Sequence, residues 1–180
     1  MRLNYSEIKR CDIANGSGVR TTVFVSGCER GCPGCFNPSA WPFDAGKPMT
    51  DEVMRKIYDS ILDPYIDGLS IVGGEPLHPR NLDGVRELML GFRRRFGVTK
   101  TIWVWTGYRF EELDNEQLAV VCLADVLVDG PFIEAKKDLT LRFRGSSNQR
   151  IIDIDSTSKS GDITLWDDGP ILSSHRWQDD

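Results

Sequence analysis

Four short apolar runs alternate with stretches of helical periodicity, and that alternation leaves few folds open. The runs are Val19 to Gly27, Leu69 to Val72, Thr101 to Thr106 and Ala124 to Val128. After the first run, Val53, Met54, Ile57 and Ile61 recur at helical spacing. Thr50 is the expected N-cap, Asp51 and Glu52 suit the positive end of the helix dipole, and Pro64 stops the helix. Leu82, Val85, Leu88, Met89, Phe92 and Phe96 trace one face of a second helix, with Asn81 as expected cap and Gly97 as stop. A third helix is expected over Phe110 to Leu123, with a break near Asp114-Asn115. Strand, helix and strand in this order need crossover connections, and crossovers make parallel sheets. Thr101 to Thr106 is apolar on both alternating faces, as suits a strand covered on both sides. The expected fold is therefore α/β: an open, partial (β/α) barrel with a mostly parallel sheet and a cysteine loop after the first strand. Ile151 and Ile152 are candidates for a fifth strand. Four or five strands do not close an eight-stranded barrel, so one side is left open to a large substrate.

At 180 residues the chain has the length of one domain. Hydrophobic residues make up 40% and charged residues 27%, which excludes a fibre or a wholly disordered chain. There is no apolar run of about 18 residues, so no membrane span is expected. Met1 to Arg10 is polar and lacks the apolar core of a secretory signal, which makes the cytoplasm the expected location. The net charge of −5 lies entirely in residues 153–180. Residues 1–152 are neutral, without the basic excess a nucleic-acid binder needs. Residues 1–152 are read as a single domain and 153–180 as an acidic, loosely held tail, in which Ile163 to Trp166 is a candidate edge strand.

Five cysteines, an odd number, argue against a disulfide framework. Cys28, Cys32 and Cys35 are separated by three and two residues, on a loop bent by Gly31, Pro33 and Gly34. Three thiolates so spaced can converge on one inorganic body. Iron–sulfur clusters are usually held by four thiolates, and three leave one iron open to a ligand. The competing reading is zinc with a fourth ligand from Cys11, Cys122, His78 or His175, none of which has knuckle spacing. Cys122 is otherwise expected to pack in the core.

The second candidate is Gly73-Gly74-Glu75-Pro76, at the carboxyl end of a strand, where α/β sheets bind ligands. The glycines let a ligand approach the backbone, and Glu75 can accept a hydrogen bond from a cationic amine. The alternative is a plain turn. Asn15-Gly16-Ser17-Gly18 precedes a strand and lacks a third glycine, so it is read as a turn and not a dinucleotide loop. Arg20 beside it is expected near the cysteine loop or in a salt bridge. Trp103 and Trp105 are expected in the core.

The C-x3-C-x2-C loop followed by GGEP resembles the radical S-adenosylmethionine superfamily. Asn15 to Arg20, Phe24 to Cys28, Trp103 to Tyr108, Val128-Asp129-Gly130 and Arg144 to Gln149 resemble, more narrowly, its glycyl-radical activase branch that serves the anaerobic ribonucleoside-triphosphate reductase. The resemblance runs from about Asp12 to Arg150. It implies that Cys28, Cys32 and Cys35 bind three irons of a 4Fe–4S cluster and that S-adenosylmethionine chelates the open iron. Gly73, Gly74 and Glu75 would hold the methionine end. Thr106, Asp129 and Asn148 would make polar contacts nearby, with strand-end capping as their alternative. Gly34 stands where the wider superfamily has an aromatic residue, and Phe36 is the candidate to stack on adenine instead. The implied activity is reductive cleavage of S-adenosylmethionine to place a glycyl radical on the large reductase subunit, with flavodoxin or ferredoxin as electron donor. The alternatives are activation of another glycyl radical enzyme of pyruvate formate-lyase type, and a non-catalytic iron–sulfur or zinc module.

Overall fold

The computed structural model describes residues 3–167. The strands are β1 (Asn4–Asp12), β2 (Arg20–Val25), β3 (Lys47–Pro48), β4 (Gly68–Gly73), β5 (Thr101–Trp105), β6 (Val126–Asp129) and β7 (Arg150–Asp153). They form one sheet in the order β3-β1-β2-β4-β5-β6-β7. The four central strands β2, β4, β5 and β6 are parallel, while β1 and β7 run antiparallel on either side. The helices are α1 (Asp51–Ile61), α2 (Pro79–Phe96), α3 (Asn115–Val121) and α4 (Ile154–Ser160). The sheet is open, with β3 and β7 at its edges.

The expected crossover pattern forms for the expected reasons. Thr50 caps α1 by accepting the Val53 N–H, and Gly97 ends α2 at φ 55°. Asp114 caps α3 by accepting the Gln117 N–H, and this is the anticipated break after Phe110. The apolar stripes of α1, α2 and α3 pack on Val23, Val25, Leu69, Ile71, Ile102, Val104 and Leu127. Trp103, Val126 and Val128 point to the opposite face, covered by Trp105, Phe143, Ile151 and Trp166. Both faces of β5 are thus dry, as its unbroken apolar sequence requires.

Five readings need correction. β1 precedes the strand that leads to the cysteines, so the loop follows β2, the second strand in the chain and the first of the parallel set. Asn81 does not cap α2: the cap is His78, with Pro79 in the first turn. Cys122 is exposed at the end of α3 instead of buried. Residues 153–167 are packed and not loose: Asp153 caps α4, Ile154 and Thr157 are buried, and Leu165 bridges Ile152 across an antiparallel edge. The rest of the tail, 168–180, lies outside the described residues.

Arg20 does not lie beside the cysteines, and among the described residues it forms no salt bridge. It starts β2, at the opposite sheet edge, and is 1% exposed. Its guanidinium donates to Ser70 Oγ at 2.7 Å, Thr101 Oγ1 at 3.0 Å, Thr101 O at 2.9 Å, Leu69 O at 3.0 Å and Ser17 O at 3.1 Å. Burial pulls its pKa down to about 10, so it stays charged at neutral pH. Asn15 to Arg20 therefore closes the amino end of the sheet. A cavity of about 460 Å³ lies there, lined by Arg20, Asp67, Thr101, Trp103, Asp125 and Trp166 among others.

Candidate functional site

Parallel strands place their carboxyl ends on one edge. β2 ends into Cys28, β4 into Gly74 and Glu75, β5 into Thr106 and Gly107, and β6 at Asp129. The structure brings these positions together, as sequence reasoning expected.

The cysteine loop is anchored at its base. Gly27 donates to Ala40 O at 2.7 Å and Cys28 to Trp41 O at 2.9 Å. Gly27 has φ 98°, and a Cβ there would lie 2.2 Å from the Phe43 ring. The Cys35 N–H donates to Cys32 O at 3.1 Å and closes a turn. The three thiols are free and partly buried. Burial pushes the Cys28 thiol up, and Glu75, Cys32 and Cys35 push in the same direction, so the four groups lie within electrostatic reach. Among the described residues no three His, Cys, Asp or Glu side chains are drawn into a ligating set. The donors themselves fit an iron–sulfur cluster: three sulfurs on one loop. Beside Gly31 nothing lies within 4 Å of where a Cβ would stand. Of the alternative fourth ligands, Cys11 and Cys122 are exposed elsewhere, His78 caps α2, and His175 lies outside the described residues.

Gly73 and Gly74 let backbone approach backbone. Gly73 has φ 108°, and a Cβ there would be 2.5 Å from Val25 O; one on Gly74 would be 2.6 Å from Gly27 O. Gly74 donates to Val25 O at 2.7 Å and Glu75 to Gly27 O at 2.8 Å. The glycines thus seat the turn directly on the strand that carries the cysteines.

Glu75 is 1% exposed. Its Oε1 accepts from Thr106 Oγ1 at 2.6 Å and from the Leu77 N–H at 3.1 Å. Its Oε2 accepts from the Gly107 N–H at 2.8 Å and faces Arg30 Nε at 3.4 Å. Burial raises its pKa above the usual carboxylate value, while these donors and Arg30 act in the opposite direction. Thr106, 4% exposed, also accepts from the Tyr108 N–H.

The remaining expected residues take other places. Asp129 is fully buried, accepts from the Phe110 N–H at 2.8 Å, and is ion-paired with Arg150. Arg150 also grips Glu111 with two bonds of 2.8 Å. Asn148 donates to Pro131 O at 2.8 Å. Gln149 accepts from the Gly145 and Ser146 N–H groups and donates to Gly130 O, so this segment clasps the turn after β6. Phe36 is 97% exposed.

Two residues escaped the sequence reading. Asn81 Nδ2 lies within hydrogen-bond distance of Ser26 O, Gly27 O and Glu75 O, at 3.0, 3.1 and 2.9 Å, and ties the two loops. Its signal was a polar residue on the buried stripe 81, 85, 88, 92. Arg30 lies against Glu75 and 4.4 Å over the Tyr108 ring. Its signal was a charge inside the cysteine loop.

A family model described as a 4Fe-4S single cluster domain matches residues 14–152. The chain is 45% identical over 149 residues to the anaerobic ribonucleoside-triphosphate reductase-activating protein of Escherichia coli K12, covering 82% of this chain and 96% of that one. Proteins of the same name from Haemophilus influenzae and Enterobacteria phage T4 are 42% and 38% identical over 151 residues, covering 83% of this chain and 97% and 93% of theirs.

Proposed function

From the premise that this chain belongs to the anaerobic ribonucleoside-triphosphate reductase-activating protein family, with its 4Fe-4S domain, we propose that Cys28, Cys32 and Cys35 hold a cluster with one open iron and that S-adenosylmethionine occupies that iron. The observation that carries the reading is that the loop bearing three free thiols and the Gly73 to Glu75 turn leave neighbouring parallel strands on one edge of the sheet, bonded at their bases. When bound, the pair supplies a one-electron cleavage of the C5′–S bond, whose adenosyl fragment takes hydrogen from a glycine Cα of the large reductase subunit. The chain's own task is to position and to exclude water.

Gly73 and Gly74 seat on β2 the turn that receives the methionine end, and Glu75 accepts a hydrogen bond from its amine. Thr106 holds Glu75 in place. Asp129 and Asn148 act one step back: Asp129 fixes Arg150 and the Phe110 turn, and Asn148 fixes the turn after β6. Phe36, exposed just after Cys35, is free to lie on the adenine. The electron comes from a small carrier of flavodoxin or ferredoxin type, in the cytoplasm. Among the described residues no helix is long and apolar enough to cross a membrane.

The test is anaerobic. Reconstitution with iron and sulfide, followed by reduction, should give an electron paramagnetic resonance signal that changes on adding S-adenosylmethionine. Cys32→Ser should lose most of the iron and all cleavage. A reduced-cluster signal indifferent to S-adenosylmethionine overturns the open-iron assignment, and full iron with retained cleavage in Cys32→Ser overturns the ligand set.

A further inference from the structure

The two sides of Cys28 are held differently. On the incoming side the hold is backbone: the Gly27 N–H donates to Ala40 O at 2.7 Å, and Gly27 O accepts from the Glu75 N–H at 2.8 Å. On the outgoing side the next residue is Glu29, and its hold is a side chain. Glu29 Oε2 lies 3.2 Å from His78 Nε2.

The His78 ring is fixed by partners other than Glu29. Its Nδ1 accepts the Arg80 N–H at 3.1 Å and caps α2. A ring nitrogen that accepts carries no proton, so the proton is on Nε2, and Nε2 donates to Glu29. The His78 backbone N–H donates to Glu75 O at 3.1 Å. The ring packs on Phe43 with centroids 4.7 Å apart, and the same Phe43 ring fills the space beside Gly27, 2.2 Å from where a Cβ would stand. The His78 side chain is 13% exposed, against 66% for Glu29. A fixed donor thus meets an exposed acceptor, and forming the pair costs the rotamer freedom of Glu29 alone.

We infer that His78 is a positioning residue for the cluster: it holds Glu29, fixes the outgoing side of Cys28, and keeps that thiol in register with Glu75. This rests on the proposed ligand set. His78 reaches both loops at once, since its backbone bonds to Glu75 and its ring to the residue after Cys28. One residue therefore sets the spacing between the first cysteine and the buried carboxylate. Groups that orient a ligand from behind govern how firmly the metal is kept.

The experiment is the rate of iron release into excess EDTA from the anaerobically loaded, unreduced protein. Glu29→Ala removes the acceptor and should release iron about threefold faster, the scale of one largely exposed pair. His78→Asn keeps a good helix cap but is too short to reach Glu29, and should speed release in the same direction. Adding Glu29→Ala to His78→Asn should change the rate no further. Glu29→Gln keeps an oxygen to accept from Nε2 and should stay near the unsubstituted rate. The electron paramagnetic resonance signal of the reduced cluster should move alike in Glu29→Ala and His78→Asn, and stay in place in Glu29→Gln. The urea midpoint of the cluster-free Glu29→Ala protein should equal that of the unsubstituted one.

An unchanged release rate or an unchanged signal in Glu29→Ala overturns the inference. A further threefold gain on adding Glu29→Ala to His78→Asn overturns it too, because Glu29 would then act without His78. A lowered urea midpoint in cluster-free Glu29→Ala would assign the pair to the fold and not to the cluster. If Cys28→Ser takes up the full cluster and releases it at the unsubstituted rate, the ligand set itself fails, and the His78 role with it.

Discussion

Thr106 donates to a carboxylate that has almost no water to turn to. Removing that hydroxyl leaves Oε1 of Glu75 with the Leu77 N–H alone and takes the acceptor from the Tyr108 N–H. Thr106→Val conserves volume and should cost about 1–3 kcal/mol in urea unfolding, the usual penalty for a buried group left unpaired. Thr106→Ser should recover most of it. An unchanged midpoint in the valine variant would mean that Glu75 is held by its other donors alone. At this scale the sequence was readable where chemistry needs particular atoms: three thiols and one carboxylate at strand ends. It was less readable where partners are distant. Nothing near Asp129 in the chain announces Arg150, 21 residues on. Arg20 was misplaced because a charge beside a glycine turn looks like a binding residue, yet the first residue of a parallel strand must lie at the edge away from the cysteines.

Helices and central strands were legible because each buries a whole stripe or a whole run. β1 was not, since most of its residues are exposed and irregular pairing between Tyr5 and Glu7 and between Lys9 and Asp12 breaks the alternation. β7 was visible as Ile151-Ile152, but its antiparallel direction follows from a return over residues 130–149 that holds no crossover α-helix, and not from periodicity. That direction brings Arg150 between Asp129 and Glu111, and so ties the turn after β5 to the last strand. Glu111 is held by Arg150 down to a pKa of about 2, below the ordinary 4.5. A carboxyl lowered on folding stabilises the fold above its unfolded pKa, and this contribution is lost as pH falls toward the folded value. Glu111 is more than half exposed, so solvent screening holds the effect to about 0.2–1 kcal/mol. Glu111→Gln should therefore melt lower than the unsubstituted protein at pH 6, with a gap that narrows between about pH 4.5 and 2. High salt should narrow it as well. A gap that is constant with pH would show that the link acts through packing and not charge.

Over the whole molecule, three helices cover one face of the sheet and leave the other to a small aromatic group. Trp103 lies 4.8 Å from Trp166 and 5.3 Å from Phe143, ring centre to ring centre, both edge-on. Neither covering residue comes from a crossover helix. Phe143 belongs to the segment before β7, and Trp166 to the segment after α4. The acidic composition after residue 152 suggested a solvated end, but composition averages over a stretch in which Ile154, Ile163 and Trp166 do the packing. A sheet with a dry strand at its centre must be covered on both faces, and among the described residues no helix packs on the second. The apolar residues after β7 are the ones within reach, since β7 ends beside Val126. Trp166→Ala should thus open the second face at Trp103. Full burial of a tryptophan carries about 3–5 kcal/mol on truncation. Trp166 is only partly buried, so a loss of about 2 kcal/mol is expected in urea unfolding. Acrylamide should quench more of the native tryptophan emission as Trp103 gains access to solvent. The cysteine edge, built from the opposite ends of the loops, should still take up iron and sulfide at the unsubstituted level. Quenching and stability unchanged from the parent would mean that Phe143 alone seals Trp103, and that the chain beyond α4 adds nothing to the fold.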